Sequence, residues 1–145
     1  MSSIVAMSCV SAALTGVPIA AATPGPAPQK LCTITYPTPD NFAITASTDV
    51  FVQPSGSGAF TLTARTDAKS LLPYDQRFHV TWSNLDTGKN GQAETSAKVH
   101  GPDNVLTIPN VTTKPGRIPL VLGISNHGSA KNYTNGDCNV EYKAQ

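Results

Sequence analysis

The sequence predicts an all-β fold, an antiparallel β-sandwich of about seven or eight strands. Three observations lead to this prediction. Apolar and polar residues alternate in short runs, as they do in strands with one buried face. Gly, Pro, Asn and Asp separate these runs at short intervals. No apolar set recurs at the three- and four-residue spacing of an amphipathic helix.

Alternation places the strands in chain order. The clear runs and the weaker ones together cover residues 32–36, 49–53, 59–66, 77–84, 92–99, 104–108, 117–125 and 138–142. In the run 77–84, Phe78, Val80 and Trp82 share the face expected to be buried, and His79 lies on the other face. Trp82 is therefore expected in the core rather than on an exposed platform. Turns are predicted at residues 54–58, 72–75, 86–91, 101–103 and 114–116.

Residues 1–22 have the pattern of a cleaved secretory signal peptide. Residues 4–22 are apolar and uncharged, and they end in three small residues, Ala20, Ala21 and Ala22. No Lys or Arg precedes the apolar stretch, which departs from the usual basic start of a signal. The alternative is an uncleaved membrane anchor, but Gly16 and Pro18 interrupt the stretch and it contains little Leu.

We expect residues 23–30, with three prolines, to form an extended tether, and residues 31–145 to form the sandwich domain. The expected location is extracellular, either released or retained at the cell surface. After removal of the signal, no segment is expected to span a membrane.

The cysteines favour the same compartment. Of three cysteines, Cys9 lies in the predicted signal, which leaves Cys32 and Cys138. An even pair in an exported domain predicts a disulfide, with two free thiols as the alternative. A zinc site is disfavoured because the two cysteines are far apart and no His stands at ligand spacing.

The charge balance argues against a nucleic-acid partner. Ten basic and nine acidic residues give a net charge of +1, and charged residues make up only 13% of the chain. Phosphate recognition requires clustered Lys and Arg, and no such cluster is present in the sequence.

No motif for catalysis, metal binding or cofactor binding is complete. His79, His100 and His127 are widely spaced along the chain. Residues 86–91 resemble the start of a calcium loop, but Gly88 and Ala97 occupy positions where ligands are required. Gly-x-Ser-x-Gly is absent from the sequence. We therefore predict no catalytic residue, no metal ligand and no cofactor.

The middle of the chain resembles an immunoglobulin-like sandwich. Residues 78–84, FHVTWSN, followed by Thr87-Gly88-Lys89, resemble the strand that carries the core tryptophan and its hairpin. Residues 106–111 and 114–122 resemble a crossing between the two sheets. Two features differ from antibody domains: the cysteines lie in the terminal strands, and Ile118-Pro119 stands near the place of the corner tyrosine. The resemblance implies a looser immunoglobulin-like or fibronectin-like domain.

These observations predict a secreted, non-enzymatic binding module whose partner is a protein or a surface ligand. Contacts are expected from the loops at residues 72–75 and 126–134, with Tyr74, Asp75, His127 and Tyr133 as candidate contact residues. The alternatives are a small secreted hydrolase with a site assembled from distant acidic residues, and a structural cell-surface protein.

Overall fold

A computed structural model describes residues 26–145. The predicted signal peptide, residues 1–22, and the first three residues of the predicted tether lie outside the described residues. The described chain forms eight strands and no helix. These are β1 (Gln29–Thr38), β2 (Asn41–Gly56), β3 (Ala59–Asp67), β4 (Tyr74–Ser83), β5 (Asn90–Val99), β6 (Asn104–Thr112), β7 (Gly116–His127) and β8 (Tyr133–Ala144). No helix in this part of the chain is long and apolar enough to cross a membrane.

The strands form two four-stranded sheets, which confirms the predicted antiparallel sandwich. The first sheet has the order β1-β2-β3-β6, and the second has the order β5-β4-β7-β8. All neighbouring strands pair antiparallel. The chain crosses between the sheets three times, from β3 to β4, from β5 to β6 and from β6 to β7.

The core lies between the sheets and is formed by the side chains that point inward from the strands. Phe60 and Leu62 of β3 and Phe78 and Val80 of β4 are buried, as alternation predicts. Trp82 is only partly buried, at the margin of the core. A Cβ atom at position 91 would lie 2.7 Å from the Trp82 ring, so glycine in β5 makes room for the indole.

A disulfide joins Cys32 of β1 to Cys138 of β8, as predicted. The two Cα atoms are 6.7 Å apart, although 106 positions separate the residues in the sequence. Because β1 and β8 are edge strands of different sheets, the bond closes one side of the sandwich covalently.

The strand register separates two ends of the sandwich. We call one of them the loop end; it carries the β1–β2 turn and the connections at residues 68–73, 100–103 and 128–132. The opposite end carries the other three turns. There, the Gly58 amide donates a hydrogen bond to the carbonyl of Gln145 at 2.7 Å, and Gln53 Nε2 donates to the carbonyl of Pro26 at 3.0 Å. Residues 26 and 145 therefore lie away from the loop end.

One predicted boundary differs from the structure. The extended tether was expected to include Gln29 and Lys30, but β1 begins at Gln29, which pairs with Val52. Pairing with β2 therefore draws the end of this segment into the first sheet.

Candidate binding surfaces

A buried hydrogen-bond network joins the two sheets near the loop end. Six strands contribute one member each: Tyr36, Thr48, Thr66, Gln76, Asn126 and Thr134. Gln76 is central, because its Nε2 donates to Tyr36 Oη at 2.8 Å and to Asn126 Oδ1 at 2.9 Å. Its Oε1 accepts a hydrogen bond from the Thr66 hydroxyl at 2.7 Å. The network satisfies these buried groups and fixes the strands from which the loops emerge.

Tyr74, one of the predicted loop contacts, is a buried strand residue beside this network. It is 1% exposed and is the first residue of β4, paired with Val99. Its hydroxyl donates to the carbonyl of Ala68 at 3.0 Å, and burial raises its pKa. The sequence around Pro73 indicated a turn over residues 72–75, but the loop ends at Pro73 and the strand begins directly after it.

The other three candidate residues come together on the outer face of the second sheet. Asp75, His127 and Tyr133 are consecutive partners across β4, β7 and β8. The rings of His127 and Tyr133 stack with centroids 4.4 Å apart and an interplanar angle of 3°. All three residues line a pocket of about 370 Å³. Their juxtaposition comes from strand register, which the sequence pattern does not reveal.

Exposed apolar side chains gather at the loop end. Leu71 is 93% exposed and Leu72 is 63% exposed in the connection between β3 and β4. Phe42, at the start of β2, is 60% exposed, and Ile44 two residues further along the strand is also exposed. Pairing between β2 and β3 begins only at Ser47, so the hairpin of β1 and β2 extends beyond β3.

Sequence reasoning missed Phe42 and Ile44. The signal for them was present, because they alternate in phase with the buried Ala46. In-phase apolar residues are usually core, and here the neighbouring strand ends before it can cover them.

The loops of this end are connected to each other. Asp40, in the β1–β2 turn, accepts hydrogen bonds from the backbone amide and the hydroxyl of Ser129 at 3.1 and 3.2 Å. Ser129 lies in the connection between β7 and β8. The two connections are thus held in a fixed relation, although they belong to different sheets.

The outer face of the second sheet is polar and contains His79. This side chain is half-buried, and its Nδ1 is buried without a hydrogen-bond partner. Burial, together with the nearby Arg77 guanidinium, lowers the pKa of His79, and Glu94 partly opposes this effect. The imidazole is therefore neutral near pH 7.

Within residues 26–145, no group of three or more His, Cys, Asp or Glu side chains is arranged to hold a metal ion. His79 and His127 lie on the same face of the second sheet, four register positions apart along β4 and β7, whereas His100 follows β5.

Comparisons with protein-family models, with curated proteins and with solved structures found no match to this chain.

Proposed function

We propose that this protein is an exported, non-enzymatic binding module that engages a protein partner through its loop end. The observation that carries the proposal is the set of uncovered apolar side chains there, Leu71 and Leu72 from one segment and Phe42 and Ile44 from another. Single exposed apolar residues are ordinary on protein surfaces, but several on adjoining segments are typical of interaction sites.

The internal connections support the proposal because they lower the cost of binding. Asp40 holds the β1–β2 turn to the β7–β8 loop, and Tyr74 holds the start of β4 to Ala68 at the base of the β3–β4 loop. A surface that is already ordered loses less conformational entropy when a partner binds.

The strand arrangement supports an immunoglobulin-like scaffold. If β1 is set aside as an additional strand, β2, β3 and β6 correspond to strands A, B and E. The second sheet then has the order C′-C-F-G. In this arrangement the loop end carries the B–C and F–G connections, which immunoglobulin-like domains commonly use for recognition.

Export is supported by the Cys32–Cys138 disulfide, because such bonds persist mainly in oxidising compartments. Pro26 lies at the opposite end, so the start of the described chain leaves the loop end open to a partner.

Substitution of one exposed leucine tests the proposal, and a second exposed leucine provides a matched control. We expect Leu72→Ser to weaken partner capture about tenfold, because burial of a leucine side chain contributes about 1.5–3 kcal/mol. Leu85→Ser should leave capture unchanged, since Leu85 is 51% exposed but lies in the β4–β5 turn at the opposite end.

The measurement is quantitative mass spectrometry of proteins captured by each immobilised variant from the medium and surface extract of the producing cells. The enriched protein is then purified, and its affinity for each variant is measured directly. Equal capture by wild type and Leu72→Ser, with thermal unfolding unchanged, would contradict the proposal.

A further inference from the structure

The outward side chains of the second sheet form rows across β5, β4, β7 and β8. Strand pairing sets Glu94, His79, Gly123 and Asp137 side by side in one row. The next row, two residues closer to the loop end, contains Ser96, Arg77, Ser125 and Asn135. The row after it ends in His127 and Tyr133. Nearly every position on these rows presents a hydrogen-bonding group to the solvent.

Three adjoining depressions follow these rows and form one groove, which we call the sheet groove. Their volumes are about 440, 370 and 320 Å³. His79 lines the first and the third, Arg77 lines the first and the second, and Ser125 and Asn135 line the second and the third. Each depression falls within the size range of small-ligand sites, roughly 300–1,000 Å³.

Gly123 gives the sheet groove its depth at the centre. A Cβ atom at this position would overlap the imidazole of His79. The absence of a side chain allows the ring to lie across β7 instead of rising from the sheet. Because Nδ1 is buried, only Nε2 of the imidazole can contact a ligand, and it donates or accepts one hydrogen bond according to the tautomer.

Two carboxylates of the sheet groove are paired with basic side chains, whereas Asp137 has no salt bridge among the described residues. Arg77 lies 3.6 Å from Glu94, and Lys98 lies 3.0 Å from Asp75. An anionic ligand would meet the carboxylates, and a cationic ligand would meet the guanidinium and the ammonium group. A ligand without net charge, rich in hydroxyl groups, can hydrogen-bond to both members of each pair without separating charge.

Tyr133 supplies a flat apolar surface at one end of the sheet groove. Tyr133 is 71% exposed, while the ring of His127 stacks against one face of its ring. The free face of a rigid aromatic ring suits the C–H face of a pyranose, which is apolar, while the hydroxyl groups of the same sugar point sideways. An aromatic surface beside a polar groove is therefore complementary to a carbohydrate chain.

We propose that the sheet groove binds a neutral oligosaccharide, with one sugar ring on Tyr133 and the following rings along Arg77 and His79. The site is independent of the apolar residues at the loop end, so the two proposals succeed or fail separately.

Affinity electrophoresis of the full chain tests the proposal with defined probes. The gels contain soluble mannan, β-glucan, arabinogalactan or, as a charged comparison, heparin. We expect at least one of the three neutral polysaccharides to retard the wild-type protein. Arg77→Ala and Tyr133→Ala should each weaken that retardation about tenfold, because the first removes a charged hydrogen-bond donor and the second removes the stacking surface.

Two matched controls separate the sheet groove from the rest of the surface. Arg65→Ala removes an exposed arginine from the outer face of the first sheet, and Phe42→Ala removes an exposed aromatic ring from the loop end. Both should retain the retardation of the wild type. The proposal is overturned if no neutral polysaccharide retards the protein, if heparin alone does, or if the controls weaken retardation as much as the test variants.

A nuclear magnetic resonance titration does not depend on the folding of any variant, because it uses the wild-type protein. Titration with oligosaccharide fragments of the retarding polysaccharide should shift the ring protons of His79 and Tyr133 and the amides of β4 and β7. Shifts confined to the first sheet or to the loop-end residues would place the sugar elsewhere and overturn the proposal.

Discussion

His79 shows how a single residue acquires properties that alternation alone does not predict. The sequence correctly places it on the outward face of β4, where a histidine would ordinarily be solvated. Its partner across the ladder is Gly123, and the bare backbone there lets the ring lie against the sheet. Pairing with a particular residue of another strand, rather than the local pattern, therefore determines its burial.

The stability of the protein should fall in mild acid because of His79. Burial lowers its folded-state pKa below the ordinary value of 6.5, so the unfolded chain takes up the proton first. The contribution of His79 is thus fully present above pH 6.5 and is lost as the pH falls through its folded-state pKa. We expect His79→Asn to reduce the loss of unfolding free energy between about pH 7.5 and pH 5, measured by urea denaturation.

The pH comparison needs a histidine control and must account for the charged neighbours of His79. His100→Asn, at an exposed position after β5, should leave the pH dependence as in wild type. Arg77 and Glu94 flank His79, and Asp137 shares its row. The His79→Asn variant keeps all three charged groups, so its difference from wild type reports on the imidazole. If His79→Asn and wild type lose stability in parallel over this range, the depressed pKa of His79 is contradicted.

At the scale of elements, the sequence predicts which segments are strands more accurately than it predicts where the strands end. Seven of the eight predicted runs fall within observed strands, and the run 77–84 passes the end of β4 by one residue. Residues 41–48 of β2 were missed. Residues 41–46 extend past β3, and none of the first five residues of β2 is buried. The start of β4 was missed because a proline such as Pro73 can lie within a turn or at the position just before a strand.

The buried polar network is a second property of the elements that the sequence does not reveal. Thr48, Thr66 and Gln76 occupy inward positions in their strands, where apolar residues are expected. Strand pairing within the first sheet brings Thr48 to Thr66, and the packing of the two sheets brings Thr66 to Gln76. These hydrogen bonds offset the cost of burying the three polar side chains.

Gln76→Leu should destabilise the protein by about 2 kcal/mol or more, although leucine is apolar and the site is buried. The substitution leaves Asn126 Oδ1 without the donor that it has in the structure, and it removes the acceptor of the Thr66 hydroxyl. Chemical denaturation measures the change. Gln92→Leu, at an exposed position in β5, should change stability by less than about 0.5 kcal/mol. A Gln76→Leu variant as stable as wild type would show that the network does not stabilise the fold.

At the scale of the whole molecule, both proposed surfaces depend on long-range pairing. Alternation indicated that Arg77 and His79 face outward, but not that Ser125 and Asn135 lie beside them. Likewise, Phe42 and Leu71 are far apart in sequence and reach the same end only through the order of the strands. Residue types and faces were therefore predictable, whereas the sheet order that combines them into surfaces was not.

The disulfide is the whole-molecule feature that the sequence did predict, and its effect on stability should be uneven across the fold. It links the edge strands β1 and β8, while β5 and β6, at the other side, have no such bond within the described chain. In the chain-entropy model a loop of this length contributes about 4–5 kcal/mol, and measured losses for small secreted domains are about 2–5 kcal/mol. A Cys32→Ala/Cys138→Ala variant should lose stability within that measured range.

Hydrogen exchange followed by mass spectrometry should show where that stability is lost. The amides of β1 should lose protection first, because β1 is an edge strand whose backbone pairs with β2 alone. Those of β3, β4 and β7, which are interior strands of their sheets, should keep protection up to global unfolding. The wild-type protein with its disulfide intact provides the reference. A uniform loss of protection across all eight strands would mean that the bond acts only on the unfolded chain, not on the closure of this edge.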